Sequence, residues 1–371
     1  MNKITNKTIE EWLSTAAAIT LRQPLVSALS EDAGHRVYPP TFPKDENYFV
    51  DAVEGGGNRS IIDTKQSQAR RIAAKIVSLN NAQPPADKII PEVTVGGDSG
   101  TRSIGELGHR VADAAVLLAD GVNAEAEKAI KAYADGDSTL LGIHFPESIL
   151  FGFWDSHGIL GKKATMAKRS RLIHSEIHAY EVSPVRSRSV YVAGAPVLVG
   201  DEEYNAEKED EKLSEAGLAN AIGKLTRDGV IAKRIERSAE INLATLRQIK
   251  CLKDGKVDAA LTSKLHTYLL TLALAALLTP DSDELNLRSG AHLVPLTAKT
   301  KVQVLMRDGM VHDIEVPANL LQLTAEAAKA WFKAATGSST APVLTGKISK
   351  GKVGEVRKSL KKGKAAPAGE A

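Results

Sequence analysis

From Ala164 to Val182 the residues Leu172, His174, Glu176, His178 and Tyr180 alternate with Ile173, Ser175, Ile177 and Ala179. A period of two belongs to a strand, whose successive side chains point to opposite faces. The assignment also decides a question of chemistry. On a helix, His174 and His178 would share a face as metal ligands, but on a strand they stand roughly 13 Å apart at ~3.3 Å per residue. A shared metal is not expected, nor is any cofactor.

Helices interleave with such strands. Thr64–Leu79 places Ala69, Ile72, Ala73, Ile76 and Leu79 at helical spacing, with Asp63 or Thr64 as its cap. Val257–Leu278 reads as a long buried helix stopped by Pro280. Its longest apolar run, Tyr268–Leu278, is about half of the ~20 residues that a membrane span needs. Further helices are expected over 8–18, 104–119, 124–133, 213–222 and 317–335, and a less regular one over 230–251. Strands are expected over 19–29, 88–95, 139–145 and 149–154. A strand with a turn covers 287–294, and a hairpin turns at Arg307-Asp308-Gly309-Met310. The interleaving lacks a regular βα period, so the fold class is α+β rather than a doubly wound sheet.

The 371 residues carry a net charge of +3 that is unevenly spread. From Lys347 onward there are eight Lys/Arg against two Glu, leaving 40 basic and 43 acidic residues elsewhere. A polyanion site on the body must therefore be a local stripe. Lys162–Arg188, with seven Lys/Arg against Glu176 and Glu181, is the best internal candidate. Residues 337–371 read as a basic, disordered tail. A single cysteine, Cys251, excludes an internal disulfide framework and agrees with a reducing cytoplasm. The polar N-terminus lacks the apolar core of a signal peptide.

Catalytic patterns are missing. The glycine clusters at 55–57 and 96–97 fit neither a dinucleotide fingerprint nor a P-loop. No nucleophile elbow or zinc-protease histidine pair occurs. Asp155 and His157 in Asp155-Ser156-His157-Gly158 could be an acid and a base on one loop, but the preferred reading is a turn-forming segment. No catalytic residue is assigned.

What remains is a pattern suited to holding a phosphate backbone. Ile149-Leu150-Phe151-Gly152-Phe153-Trp154 runs into that polar turn, and the basic stretch Lys162–Arg171 follows. Upstream, Ile61-Ile62-Asp63-Thr64 likewise leads into Lys65, Arg70 and Arg71, at a helix start whose free N–H groups favour anions.

Five blocks then resemble one family in order. They are Ile62-Asp63-Thr64-Lys65-Gln66-Ser67-Gln68-Ala69-Arg70-Arg71, His109-Arg110-Val111-Ala112-Asp113-Ala114, Leu150-Phe151-Gly152-Phe153-Trp154-Asp155-Ser156, Ser175-Glu176-Ile177-His178-Ala179-Tyr180 and Leu287-Arg288-Ser289-Gly290-Ala291-His292-Leu293-Val294. The family is the backbone subunit of type I-U (also called I-G) CRISPR effector complexes, a RAMP protein of the Cas-seven superfamily. Ala179 stands where that family usually has glycine, and Ala291 where it often has cysteine.

The resemblance implies an RRM-like (ferredoxin-like) palm over residues 1–336 with inserted finger and thumb elements, candidates lying near 34–60 and 183–215. It implies a cytoplasmic, non-catalytic subunit whose copies stack in a helical filament along CRISPR RNA and present the guide to target DNA. Its partners would be the guide RNA, the target DNA strand, copies of itself, a large subunit and a guide-end-capping subunit, with no membrane. A guide of any sequence must be held by its backbone, so cations and amides should dominate. The expected RNA contacts are Lys65, Gln66, Gln68, Arg70, Arg71, His109, Arg110, Ser156, Lys162, Lys163, Lys168, Arg169, Arg186 and Arg188, with Trp154 expected to pack beneath them in preference to the alternative of stacking on RNA. The alternative is a subunit that cleaves target RNA with a metal through a loop aspartate, Asp98, Asp155 or Asp201.

Overall fold

The structure is a computed structural model that describes residues 2–31, 33–41, 48–155, 167–191, 221–280, 285–354 and 358. Its centre is a sheet built by six elements in chain order. They are β1 (Ala16–Ser27), α1 (Lys65–Asn81), β3 (Ile173–Tyr191), β4 (Ala221–Asn242), α2 (Ala259–Leu278) and β5 (Lys301–Met306); β2 (Asn58–Asp63) precedes α1. In space the strands run β5-β1-β4-β3-β2, and each neighbouring pair is antiparallel. Taking β1-α1-β3-β4-α2-β5 as βαββαβ with order 5-1-4-3 gives the split-βαβ arrangement of a ferredoxin-like palm. The fold is α+β, and the palm is RRM-like.

Alternation decides which side of the sheet the helices cover. Ile19 and Leu21 of β1, Ala239 and Ile241 of β4, and Ile173 of β3 join one buried cluster with Ile72 and Ile76 of α1 and with Leu269 and Ala273 of α2. Their sequence neighbours Arg22, Glu240 and His174 take the opposite face. His174 and His178 both lie on β3, opposite Glu240 and Glu236, as the alternation predicts.

Helix α1 is capped by Thr64, whose hydroxyl accepts from the Ser67 amide at 3.2 Å. Helix α2 starts at Asp258, whose carboxylate accepts from the Leu261 amide at 2.9 Å. It is apolar nearly all round because it is buried on most sides. It is long and apolar enough to cross a membrane, yet it packs in the core, with the Tyr268 hydroxyl donating to the Ile89 carbonyl at 2.9 Å.

Four local expectations are corrected. Residues expected as strands over 139–145 and 149–154 form helices Thr139–His144 and Pro146–Phe151, leaving only Phe153–Trp154 extended. Short apolar runs look alike as buried strand or helix. Pro146 opens the second helix, and Gly152, at φ +74°, stops it. The helix expected over 104–119 breaks into two 3-10 turns and Ala114–Leu118, because Arg110 takes a left-handed φ of +52°. The helical reading of 230–251 gives way to strand β4. Charged residues on its open face, and a buried Arg237, obscured its period.

The tail expected from Gly337 begins as structure. Val343–Lys347 pairs in parallel with Glu92–Gly97, and Gly346 lies so close to Ala119 that a Cβ there would come within 2.8 Å. Lys350 and Lys352 then pair with Asp98 and Asp120. A five-residue strand inside a Ser/Gly/Lys-rich stretch has too little apolar pattern to stand out. The expected helix 213–222 lies for the most part outside the described residues.

Candidate nucleic-acid interface

The start of α1 sends its polar residues in two directions. Lys65, Gln66 and Arg70 are exposed, and Lys65 pairs with Glu176 of β3 at 3.7 Å. Gln68 points inward and is fully buried. Its amide donates to Asp63 Oδ2 at 2.6 Å and accepts from the Ser175 hydroxyl at 2.8 Å, and Arg237 Nε donates to that hydroxyl at 3.1 Å. This corrects the expectation of an RNA contact at Gln68, because both ends of its amide are used inside the protein. Arg71 is shared between the two roles. It pairs with Asp63 at 3.3 Å and donates to the Leu287 carbonyl at 2.6 Å.

The second block is also partly scaffold. Arg110 is buried, and its guanidinium donates to the Gly152 carbonyl at 3.2 Å and lies 5.0 Å from the Phe151 ring centroid. Burial pulls its pKa down to about 10, helped by the like charges of Arg171 and Arg70 and opposed by Glu147. Arg110 therefore fixes the Phe151–Gly152 turn and is not a surface contact. Gly152 is obligatory there, since a Cβ would meet the Arg169 carbonyl at 2.6 Å. Arg169 is likewise corrected: it is buried and donates to the Thr245 carbonyl at 2.9 Å.

Glu147 lies beneath this turn and is buried, with neither carboxylate oxygen hydrogen-bonded among the described residues. Burial raises its pKa to about 7, with Arg110 as the opposing charge.

On the outer side, Phe153–Trp154 and Lys168–Arg169 pair as two short antiparallel strands. Phe153 turns inward onto Tyr133, with ring centroids 5.4 Å apart. Trp154 turns outward and is 55% exposed, contrary to the expectation that it packs beneath the site. Lys168, its partner across the strands, is exposed and holds its ammonium 5.5 Å from the indole centroid.

Exposed Arg70, Lys168 and half-buried Arg171 thus gather around the turn that Arg110 holds, and His109 is exposed on the adjoining 3-10 turn. Ser156, Lys162 and Lys163 lie outside the described residues. Arg186 and Arg188 are not part of this cluster. They sit exposed on the far arm of the β3–β4 hairpin, nine or more residues beyond Ile177, or roughly 30 Å along the strand.

Of the loop aspartates, Asp155 is buried, Asp98 is exposed and paired with Lys350 at 3.0 Å on a different sheet, and Asp201 lies outside the described residues. Among the described residues no group of three or more His, Cys, Asp or Glu is placed to hold a metal. Arg171 and exposed Trp154 are the residues that the sequence-based contact set lacked. Arg171 was signalled only by its place in the basic run.

The five sequence blocks meet in this region. Arg288 donates to the Ile62 carbonyl at 2.6 Å, the Ser175 hydroxyl donates to Gln68, and Arg110 donates to the Gly152 carbonyl at 3.2 Å. Residues 25–184 match the family model described as CRISPR-associated protein GSU0053. Among solved structures, the chain is similar to one in a "CRISPR RNA-guided surveillance complex, pre-nicking" at 17% identity, covering 78% of this chain and 75% of that one. The TM-score is 0.33, a superposition too loose to bear on function. A search of curated proteins finds no match. The match of residues 25–184 to that family model bears out, over that stretch, the resemblance carried by the sequence blocks.

Proposed function

We propose that the protein is a non-catalytic backbone subunit of a type I, Cascade-like CRISPR effector. Several copies would bind the sugar-phosphate backbone of a CRISPR RNA in a helical filament and present the guide for pairing with target DNA. The observation that carries this reading is the convergence of the family blocks on one surface bearing Arg70, Lys168 and Arg171. Those residues are cations on a scaffold, which suits a sequence-tolerant grip on phosphates. The long β3–β4 hairpin, with Arg186 and Arg188 on its arm, is our candidate for the thumb that separates guide nucleotides. The large subunit, the guide-end-capping subunit and further copies of the chain are the remaining partners in this reading.

The test is equilibrium binding of two single-stranded RNAs of unrelated sequence across a range of salt. Equal affinities that fall steeply with salt support the reading. A strong preference for one sequence, or metal-dependent cleavage of a complementary RNA, contradicts it.

A further inference from the structure

We propose that Trp154 is the platform on which a nucleobase of the bound single strand stacks; this rests on the RNA-binding reading above. Strand alternation places Phe153 in the core and turns Trp154 outward. A single exposed apolar side chain needs no explanation by itself. This one lies in cationic surroundings, with Lys168 against the ring and Arg171 and Arg70 around the adjoining Gly152 turn.

The platform is also held firmly. Arg110 ties the carbonyls of Phe151 and Gly152, at 3.5 and 3.2 Å. The Asp155 amide donates to the Ala167 carbonyl at 2.9 Å, and the Trp154–Lys168 register is fixed by the strand pair. An aromatic face with a cation beside it offers a π surface to any base and a positive charge to the phosphate next to it. That pairing is sequence-tolerant, because every base has a π face. The ligand class is therefore a single-stranded nucleic acid held through both base and phosphate, not through phosphate alone.

The other two tryptophans, Trp12 and Trp331, are 3% and 0% exposed, so a change in indole emission on binding reports Trp154. The experiment titrates the full chain with oligouridylate and with an abasic ribose-phosphate strand of equal length. The wild type should be quenched by oligouridylate and not by the abasic strand. Trp154→Phe should abolish the quenching. Trp154→Leu should weaken oligouridylate binding roughly five- to hundredfold while leaving abasic binding unchanged.

Equal affinity and equal emission change with both strands would overturn the stacking role and leave the backbone-binding reading intact. Failure of both strands to bind would overturn both. Loss of self-association in Trp154→Leu with unchanged RNA affinity would make Trp154 a subunit contact and also overturn the proposal.

Discussion

The Ser175 hydroxyl donates to Gln68 Oε1 at 2.8 Å in the interior of the palm. This one bond joins the start of α1 to the centre of β3, and Asp63 and Arg237 extend it into a buried polar chain. The exposed residues of α1, Lys65 and Arg70, are aimed by a network they do not touch. Gln68→Leu should leave Asp63 and Ser175 under-satisfied and cost about 2–3 kcal/mol of stability. Denaturant titration measures that loss. RNA affinity of the folded fraction should change little, and a large affinity loss at unchanged stability would restore Gln68 as a contact.

Glu147 makes stability depend on pH in an uncommon direction for a carboxylate. Burial raises its pKa from the ordinary 4.5 to about 7, so between these values the folded state holds a proton that the unfolded state has lost. The stabilisation is complete below about pH 4.5, declines as pH rises toward 7, and is gone above it. Glu147→Gln should accordingly gain on the order of 3 kcal/mol relative to wild type at pH 8 and little at pH 4.5. Unfolding curves of both proteins at the two pH values check this. A pH-independent difference would contradict it.

The surface cations should act through salt-dependent binding. Arg70→Ala with Lys168→Ala removes two exposed charges and leaves the buried scaffold in place. The salt slope of single-stranded RNA binding should fall by about 1.4, at ~0.7 for each phosphate that is no longer neutralised. Arg71→Ala should instead lose stability as well as affinity, because Arg71 pairs with buried Asp63. Fluorescence anisotropy at several salt concentrations, paired with thermal melts, separates the two cases.

Truncation distinguishes the two halves of the C-terminal segment. Ending the chain after Gly354 keeps the strand Val343–Lys347 and should leave the melting temperature nearly unchanged. Ending it after Gly337 uncovers the edge of Glu92–Gly97 and removes the packing of Gly346 against Ala119 and Val122. That deletion should cost on the order of 2–4 kcal/mol, from the missing ladder bonds and apolar burial. Equal stability of the two truncations would refute the strand.

The palm was legible where pattern and environment agree. The alternation of β3 and the capped face of α1 each show one period and one face, and α2 declares itself by an unbroken apolar run too long for a strand. The misread parts share a physical cause. Residues 141–151 are buried on nearly every side, the polar Glu147 and Ser148 included, so no period survives to tell helix from strand. Arg110 and Gln68 were read as surface groups because polar residues at a helix start usually are. Their burial is possible only because distant partners, Gly152 and Ser175, satisfy them. Trp154 was misread in the opposite sense. Its exposure depends on which face of a two-residue strand meets the core, and sequence spacing cannot fix a face over so short a length.

The most direct test of the account is the mass of the complex formed with single-stranded RNA of two lengths, measured by native mass spectrometry. A backbone subunit gripping successive segments should give complexes whose copy number rises in proportion to RNA length. A fixed stoichiometry of one protein at both lengths, or no RNA-bound species, would contradict it.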